Sequence, residues 1–474
     1  MYGLRHRAPN GTGLPFHVLV VGNAVSSYGT YLNLVALNLY VLQTTGTALS
    51  VGLFLLLRIA SSFLSGFVSG RLVTRFDRIR LMIAGDLCQA LALLGFLAAP
   101  HPARSVLLYV LAVVMGGCST MTGVARRSSV PDLVGQDLRV RANGLLVTGR
   151  SLAMVLGFAS AGLVVAEAGY TAAFLVDAAT FLVSAAALIV LAASGTTAPP
   201  GTRRAPRGRA AAGAPDRPDE VPEKPDHPGE PSRPIPIAVW RYAPVVLCLI
   251  TVRAVDNMGS ASHQVGLPVY AEQIAPGDPA AFVGRFYAVW AVGALLAHQL
   301  VSRVPAVARW AGDGPSGSRP GGERAFAIGT CLMSAFFILA FADLPLLALL
   351  PVAAAAGLAD GFTEIVYHSR LQALPEWERG RALGFAAMAE TAALGTGTVL
   401  CASLLDRFAP FTVVAAAHGT AIALALLLLL LLTTVPSLTS GADAPDAPDA
   451  PDAPDAPEDT ARPQRATGGR TPAT

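Results

Sequence analysis

Nine ionisable side chains interrupt the long apolar runs of this chain: Arg58, Arg150, Arg253, Asp86, Asp177, Asp256, Asp360, Glu364 and Glu390. A charge held at the middle of a bilayer costs about 2.5–3.5 kcal/mol on insertion scales, so each of them needs a partner or a task. Arg253 and Asp256 are three residues apart, which places them on one helical face as a pair, with Asn257 alongside. Asp360 and Glu364 are four apart. Two like charges on one face resist being ionised together, which is the property a proton carrier needs. Asp360, Glu364, Glu390 and Asp256 are therefore candidates for proton coupling. Arg58, Arg150, Arg253 and Asn257 are candidates for a substrate path.

Each has a plainer reading. Arg253 and Asp256 can be a structural pair, and Arg58 divides evenly between a structural and a substrate-facing role. Asp86 and Asp177 lie nearer span ends, where caps or neighbour bonds are expected. His263, His298, His368 and His418 are expected to be lone, satisfied helix contacts.

The elements that carry these residues follow from composition. The chain has 474 residues, 53% hydrophobic and 14% charged, with a mean hydropathy of +0.53. A soluble protein carries about 25% charged residues, so the polar surface is too small for water alone. The apolar residues come in twelve blocks near 15–42, 48–70, 80–100, 105–125, 142–166, 170–193, 240–272, 282–302, 324–342, 345–367, 382–405 and 410–433. Each is about the 20 residues needed to cross a hydrocarbon core. The first block is too long for a signal-peptide core and no small-residue cleavage site follows, so it reads as a retained span.

Charge position gives an orientation. Arg71, Arg75, Arg78 and Arg80, then Arg126, Arg127, Arg139 and Arg141, then Arg303, Arg309, Arg319 and Arg324, then Arg370, Arg379 and Arg381 fall between alternate blocks. The opposite connections hold Arg104, Arg285 and Arg407. Arginine-rich loops stay in the cytoplasm, which puts both termini there. Of the 34 basic residues only Lys224 is lysine. The net charge of +3 by itself decides nothing about partners, and no nucleic-acid partner is expected. The five cysteines show neither metal nor redox spacing, and no metal or cofactor is expected.

Residues 195–236 are rich in Pro, Arg, Asp and Glu and read as a disordered cytoplasmic linker between an N-terminal bundle, 1–194, and a C-terminal bundle, 237–434. Residues 435–474, with Ala-Pro-Asp triplets from Ala444, read as a disordered tail, either a neutral repeat expansion or a binding segment. Gly312–Gly322 reads as a flexible loop.

The halves are copies. Arg126-Arg127-Ser128-Ser129-Val130-Pro131, followed by Arg141-Ala142-Asn143-Gly144, matches Arg370-Leu371-Gln372-Ala373-Leu374-Pro375, followed by Arg381-Ala382-Leu383-Gly384. Each copy joins the fourth run of a set of six to the fifth. A half-chain repeat among membrane spans is the signature of a two-bundle carrier. Aligning the copies sets Arg150 opposite Glu390.

The run Gly70-Arg71-Leu72-Val73-Thr74-Arg75-Phe76-Asp77-Arg78-Ile79-Arg80 resembles the second-to-third loop signature of the major facilitator superfamily, with Gly70, Arg75, Asp77 and Arg78 as its conformational motif. Arg58, Asp86 and the Ser129-x-Pro131-x-Leu133-Val134 segment leading to Ala142-Asn143 are similar to its macrolide-efflux and enterobactin-exporter branch. Gly157-Phe158-Ala159-Ser160-Ala161-Gly162 resembles the glycine-rich antiporter motif, with Gly157 and Gly162 kept and Phe158 in place of proline. Thr74 stands where relatives carry an acid that touches a neighbouring helix end and helps latch one conformation.

The expected protein is an all-α integral membrane protein of twelve transmembrane helices in two pseudo-symmetric six-helix bundles. The resemblance implies a monomeric drug:proton antiporter in a bacterial plasma membrane, with a small molecule, protons and the lipid bilayer as partners and the proton gradient as energy source. A non-transporting sensor or scaffold, or an uptake permease, are the alternatives. No nucleophile–base constellation or phosphate loop argues for an enzyme.

Overall fold

The computed structural model describes residues 14–134, 139–193, 244–310, 321–374 and 376–435. The connector 195–236 lies outside these residues, as do the tail past Val435 and the segment 311–320. Twelve helices are present among the described residues: α1 Leu14–Thr45, α2 Ala48–Arg75, α3 Arg78–Ala98, α4 His101–Val134, α5 Arg139–Ala193, α6 Pro244–Ile274, α7 Pro279–Arg303, α8 Pro305–Trp310, α9 Gly321–Ala340, α10 Leu346–Gln372, α11 Glu376–Leu405 and α12 Pro410–Thr434.

Local sequence explains the boundaries. Asp77 caps α3 by accepting from the Arg80 N–H at 3.0 Å. Asp278 caps α7 from the Ala281 N–H at 3.0 Å, with Pro279 preset in the first turn. The 55 residues of α5 amount to about 80 Å of helix at 1.5 Å per residue, more than two bilayer crossings. The turn between its two arms is Gly169, at φ 75°, a left-handed conformation that glycine adopts without a side-chain clash. The break falls between the fifth and sixth expected spans.

Among the described residues, ten helices are long and apolar enough to cross a membrane. One of them, α5, holds two crossings. The helix α1 is long enough but less apolar, because it carries Asn23, Ser26, Asn33 and Asn38, all buried in the protein. Counting α5 twice and adding α1 gives the expected twelve. The short α8 does not span. Leu64, Phe67, Leu91, Val106, Val190, Leu347 and Leu430 are exposed, an apolar surface that suits lipid and not water.

Helices α1–α5 form one bundle and α6–α12 the other, and the buried apolar residues show how they meet. One cluster runs through both bundles, from Leu32–Leu42, Ala48–Leu55 and Phe158 across to Val265–Ala271, Ala280–Phe286 and Cys401–Leu405. At the opposite end there are two separate clusters, one confined to the first bundle (Phe16, Ile79, Ala125, Leu188) and one to the second (Val246, Phe326, Tyr367, Leu428). The bundles are therefore joined at one end and parted at the other. The parted end is the one that carries the arginine-rich connections.

The arginine-rich segments are themselves helical, which corrects the expected loops. α4 continues to Val134, so Arg126 and Arg127 stand on a helix, and α10 continues to Gln372, so Arg370 does too. Hydropathy marks where lipid ends, but backbone hydrogen bonding carries a helix further. Gly321 and Gly322 likewise open α9 and do not belong to a loop.

Candidate functional site: a basic cavity and an acidic cluster

A cavity of about 910 Å³ opens in the first bundle, lined entirely by α1–α5. Two stripes of polar residues at helical spacing build its walls: Asn23, Ser26, Ser27, Thr30 and Tyr31 on α1, and Ser119, Thr122, Gly123, Arg126 and Arg127 on α4. Gln89 on α3 accepts from the Ser119 hydroxyl at 3.0 Å. Leu34 and Phe181 supply apolar lining. Arg58 reaches the cavity from α2, whose backbone packs directly on Gly116 of α4; a Cβ there would collide with the Arg58 carbonyl.

Arg150 also lines the cavity. Its Nε–H donates to the Tyr31 hydroxyl at 2.9 Å. Asp86 is the one acid among the described lining residues; it is buried in the middle of α3 and interacts with Ser184 and with the Arg126 guanidinium. Asp177 is 0% exposed and accepts from the Asn33 amide at 2.6 Å, with Arg58 in electrostatic reach. Asp86 sits near the middle of α3, contrary to expectation, whereas Asp177 lies nearer the start of the second arm of α5, which runs from Gly169 to Ala193.

The second bundle holds a cluster of opposite sign. Arg253 pairs with Asp256 at 3.1 Å and approaches Asp360 at 3.9 Å, and Glu364 and Glu390 are within its electrostatic reach. Its guanidinium lies over the Tyr367 ring, 5.8 Å from the centroid. Asp256 is 1% exposed. Arg253 Nε, Asp256 Oδ1 and Asn257 Nδ2 are buried with no hydrogen-bond partner among the described residues. The structure thus brings Arg253, Asp256, Asp360, Glu364 and Glu390 together from three helices, α6, α10 and α11. By the sequence repeat, α10 and α11 correspond to α4 and the first arm of α5, which line the basic cavity. Arg150 and Glu390 are not brought together; each belongs to its own half.

The two motif regions have structural partners. Arg78 Nη1 donates to the Ser128 carbonyl at 2.5 Å, tying the start of α3 to α4, while Gly70 and Arg75 are exposed at the parted end. Gly157 packs on the α1 backbone, where a Cβ would stand 2.7 Å from the Tyr28 carbonyl. Gly162 meets the Ala281 backbone of α7, and Gly284 faces the Phe158 carbonyl, where a Cβ would stand at 2.6 Å. Gly162 and Gly284 form the seam at which the bundles join. Phe158 fills the missing proline's place without a kink, packing on Tyr31 (5.2 Å) and stacking on Tyr287 of the other bundle (5.1 Å). Further across the joined end, Gln43 donates to Glu272 at 2.6 Å and the Ala48 N–H to Asp406 at 2.8 Å.

Two histidines are a pair and not lone contacts. His263 Nδ1 and His418 Nε2 lie 3.2 Å apart, both buried, with Phe337 stacked on each and Ser334 bonded to His418. His298 meets the Ala294 carbonyl of its own helix, and His368 is edge-on to Tyr367.

Two helical bundles joined at one end, around polar groups that no lipid-facing role explains, define a membrane carrier. The model of the Major Facilitator Superfamily matches residues 19–314, and the chain belongs to that family. No curated protein matches it by sequence. Solved structures share the fold. A bacterial homologue of the iron transporter ferroportin, in an inward-facing state, matches with a TM-score of 0.63 and 16% identity over 90% of this chain and 98% of that one. A point mutant of the peptide transporter POT in complex with alafosfalin matches with 0.63 and 16% over 92% and 97%. A point mutant of the nucleoside transporter NupG matches with 0.64 and 12% over 88% and 99%. The protein is therefore a major facilitator transporter.

Proposed function

We propose that this transporter exports a small amphipathic molecule by proton antiport, through alternating access. The observation that carries the reading is the separation of roles between the halves: a polar cavity in the first bundle, and four acids gathered on one arginine in the second. The arginine-rich, parted end is cytoplasmic, so the present conformation faces inward across a bacterial plasma membrane, with both termini in the cytoplasm. The substrate enters the cavity from the cytoplasm or inner leaflet. An outer proton neutralises an acid of the Arg253 cluster, with Asp360, Glu364 or Glu390 as the acceptor. The seam at Gly162 and Gly284 then opens as the parted end closes.

A proton falling through about 100 mV contributes roughly 2.3 kcal/mol, and each pH unit adds about 1.4 kcal/mol. Together they sustain a substrate gradient of roughly several hundredfold per proton. Inverted membrane vesicles test the coupling. Uptake of a fluorescent drug into vesicles carrying the protein should collapse when an ionophore dissipates the proton gradient, and uptake unchanged by the ionophore rules the coupling out.

A further inference from the structure

The cavity in the first bundle is crowded with like charge. Arg126 stands in the electrostatic field of both Arg127 and Arg150, and Asp86 is the acid that offsets them. Arg58 has Asp177 within reach. Arg127 and Arg150 have no carboxylate partner among the described residues, and Arg150 is held by the neutral Tyr31 hydroxyl. A cleft lined by one sign of charge concentrates ligands of the other sign. Guanidinium groups offer planar, paired donors that match carboxylate, sulfonate and phosphate oxygens. The mutual repulsion of three arginines in one cavity is relieved when an anion binds among them.

Resting on the reading of this cavity as the substrate site, we propose that the transported molecule is an amphipathic anion. Its acidic head sits between Arg126, Arg127 and Arg150, and its apolar body lies against Leu34 and Phe181.

The probes are dansylglycine and dansylethylenediamine, which share an apolar body and carry opposite head charges. Each is titrated against the full-length protein in phosphatidylcholine nanodiscs, following dansyl fluorescence. Dansylglycine should bind saturably and dansylethylenediamine should not. Arg127→Gln and Arg150→Gln should each weaken dansylglycine about tenfold, or ~1.4 kcal/mol, and Arg150→Lys should recover part of the loss. Arg127→Gln should also leave thermal stability equal or higher, because it removes repulsion, so loss of binding cannot be put down to misfolding. No saturable dansylglycine binding, tighter binding of the cation, or equal dansylglycine affinity in the Arg126→Gln/Arg127→Gln/Arg150→Gln variant overturns the proposal.

The same titration in discs containing phosphatidylglycerol separates the sources of anion. Unchanged affinity keeps the site for a soluble substrate, whereas abolished binding assigns it to a lipid headgroup and overturns the substrate assignment. Saturable dansylglycine binding with no movement in proteoliposomes leaves the anion site standing and sinks the transport reading. Transport of dansylethylenediamine in preference to dansylglycine does the reverse.

Discussion

The two halves share a scaffold and differ in charge. In the first, four guanidinium groups, Arg58, Arg126, Arg127 and Arg150, face two carboxyls, Asp86 and Asp177. In the second, one guanidinium, Arg253, faces four carboxyls, Asp256, Asp360, Glu364 and Glu390. The repeat that relates the copies places Arg126 opposite Arg370, yet their partners differ. Arg370 is tied to Glu323 of α9 at 3.3 Å, while Arg126 lines a cavity. A duplicated fold has thus kept its backbone and assigned opposite electrostatics to equivalent walls. In the proposed cycle, opposite fields let two kinds of ligand act on one rocking motion: each neutralises its own half, and the balance between the halves biases which end is joined.

The sharpest way to break this contrast is to remove the single cation of the acidic half. Arg253→Met leaves Asp256 buried with no positive partner. Breaking a buried pair from one side costs about 3–5 kcal/mol, so thermal stability in detergent should fall markedly and transport should be lost. The double variant Arg253→Met/Asp256→Asn should recover most of the stability and none of the transport. Full transport in the double variant would make the pair a structural device only.

That cluster was legible in the sequence because a charge inside an apolar run has few explanations. Arg253, Asp256, Asp360, Glu364 and Glu390 could be singled out one by one, and the repeat indicated which helices correspond. The basic cavity was less legible. Arg126 and Arg127 lie where hydropathy falls away, so they read as loop residues under the rule that arginines stay inside. Only continuation of α4 to Val134 turns them into a wall. A usable signal was present: Asn23, Ser26, Ser27, Thr30 and Tyr31 recur at three- and four-residue intervals within the first apolar run, and a polar stripe on a membrane helix must face protein or water. The His263–His418 pair was out of reach, because 155 residues separate its members and no local pattern links them.

The joint between the halves offers a gentler way to sharpen the contrast. At Gly162 a side chain would collide with the Ala281 backbone. Gly162→Val should raise the free energy of the joined end by about 1–3 kcal/mol, the usual range for overpacking, and shift the population toward the alternate state by roughly five- to a hundred-and-fiftyfold. The paired substitutions Gln43→Cys and Glu272→Cys report that population, because the native side chains meet at 2.6 Å in this conformation. Placed in a background without the five native cysteines, the two introduced thiols should be bridged readily by a short bis-methanethiosulfonate reagent, which spans the length of the two side chains removed, and adding Gly162→Val should suppress that cross-linking. Undiminished cross-linking would mean that the seam yields locally and does not couple the halves.

The smallest effect is expected at the opposite end of the same lever. Thr74 is exposed in the last turn of α2, where its hydroxyl donates to the Arg71 carbonyl at 2.8 Å. That bond stays within its own helix, because the bundles are parted at this end. In the proposed cycle the parted end closes, which brings the α2–α3 turn toward the second bundle, whose α11 starts at Glu376 on this side. An acid brought to a helix N-terminus gains about 0.3–1 kcal/mol, so Thr74→Asp should favour the alternate state about two- to fivefold. The partial loss of cross-linking between positions 43 and 272 should be smaller than that caused by Gly162→Val, and additive with it, since the two residues act at opposite ends. If Thr74→Asp leaves both cross-linking and transport unchanged, the turn is no latch in this chain. Its role then reduces to what Asp77 and Arg78 already do, capping α3 and tying it to α4, within the basic half alone.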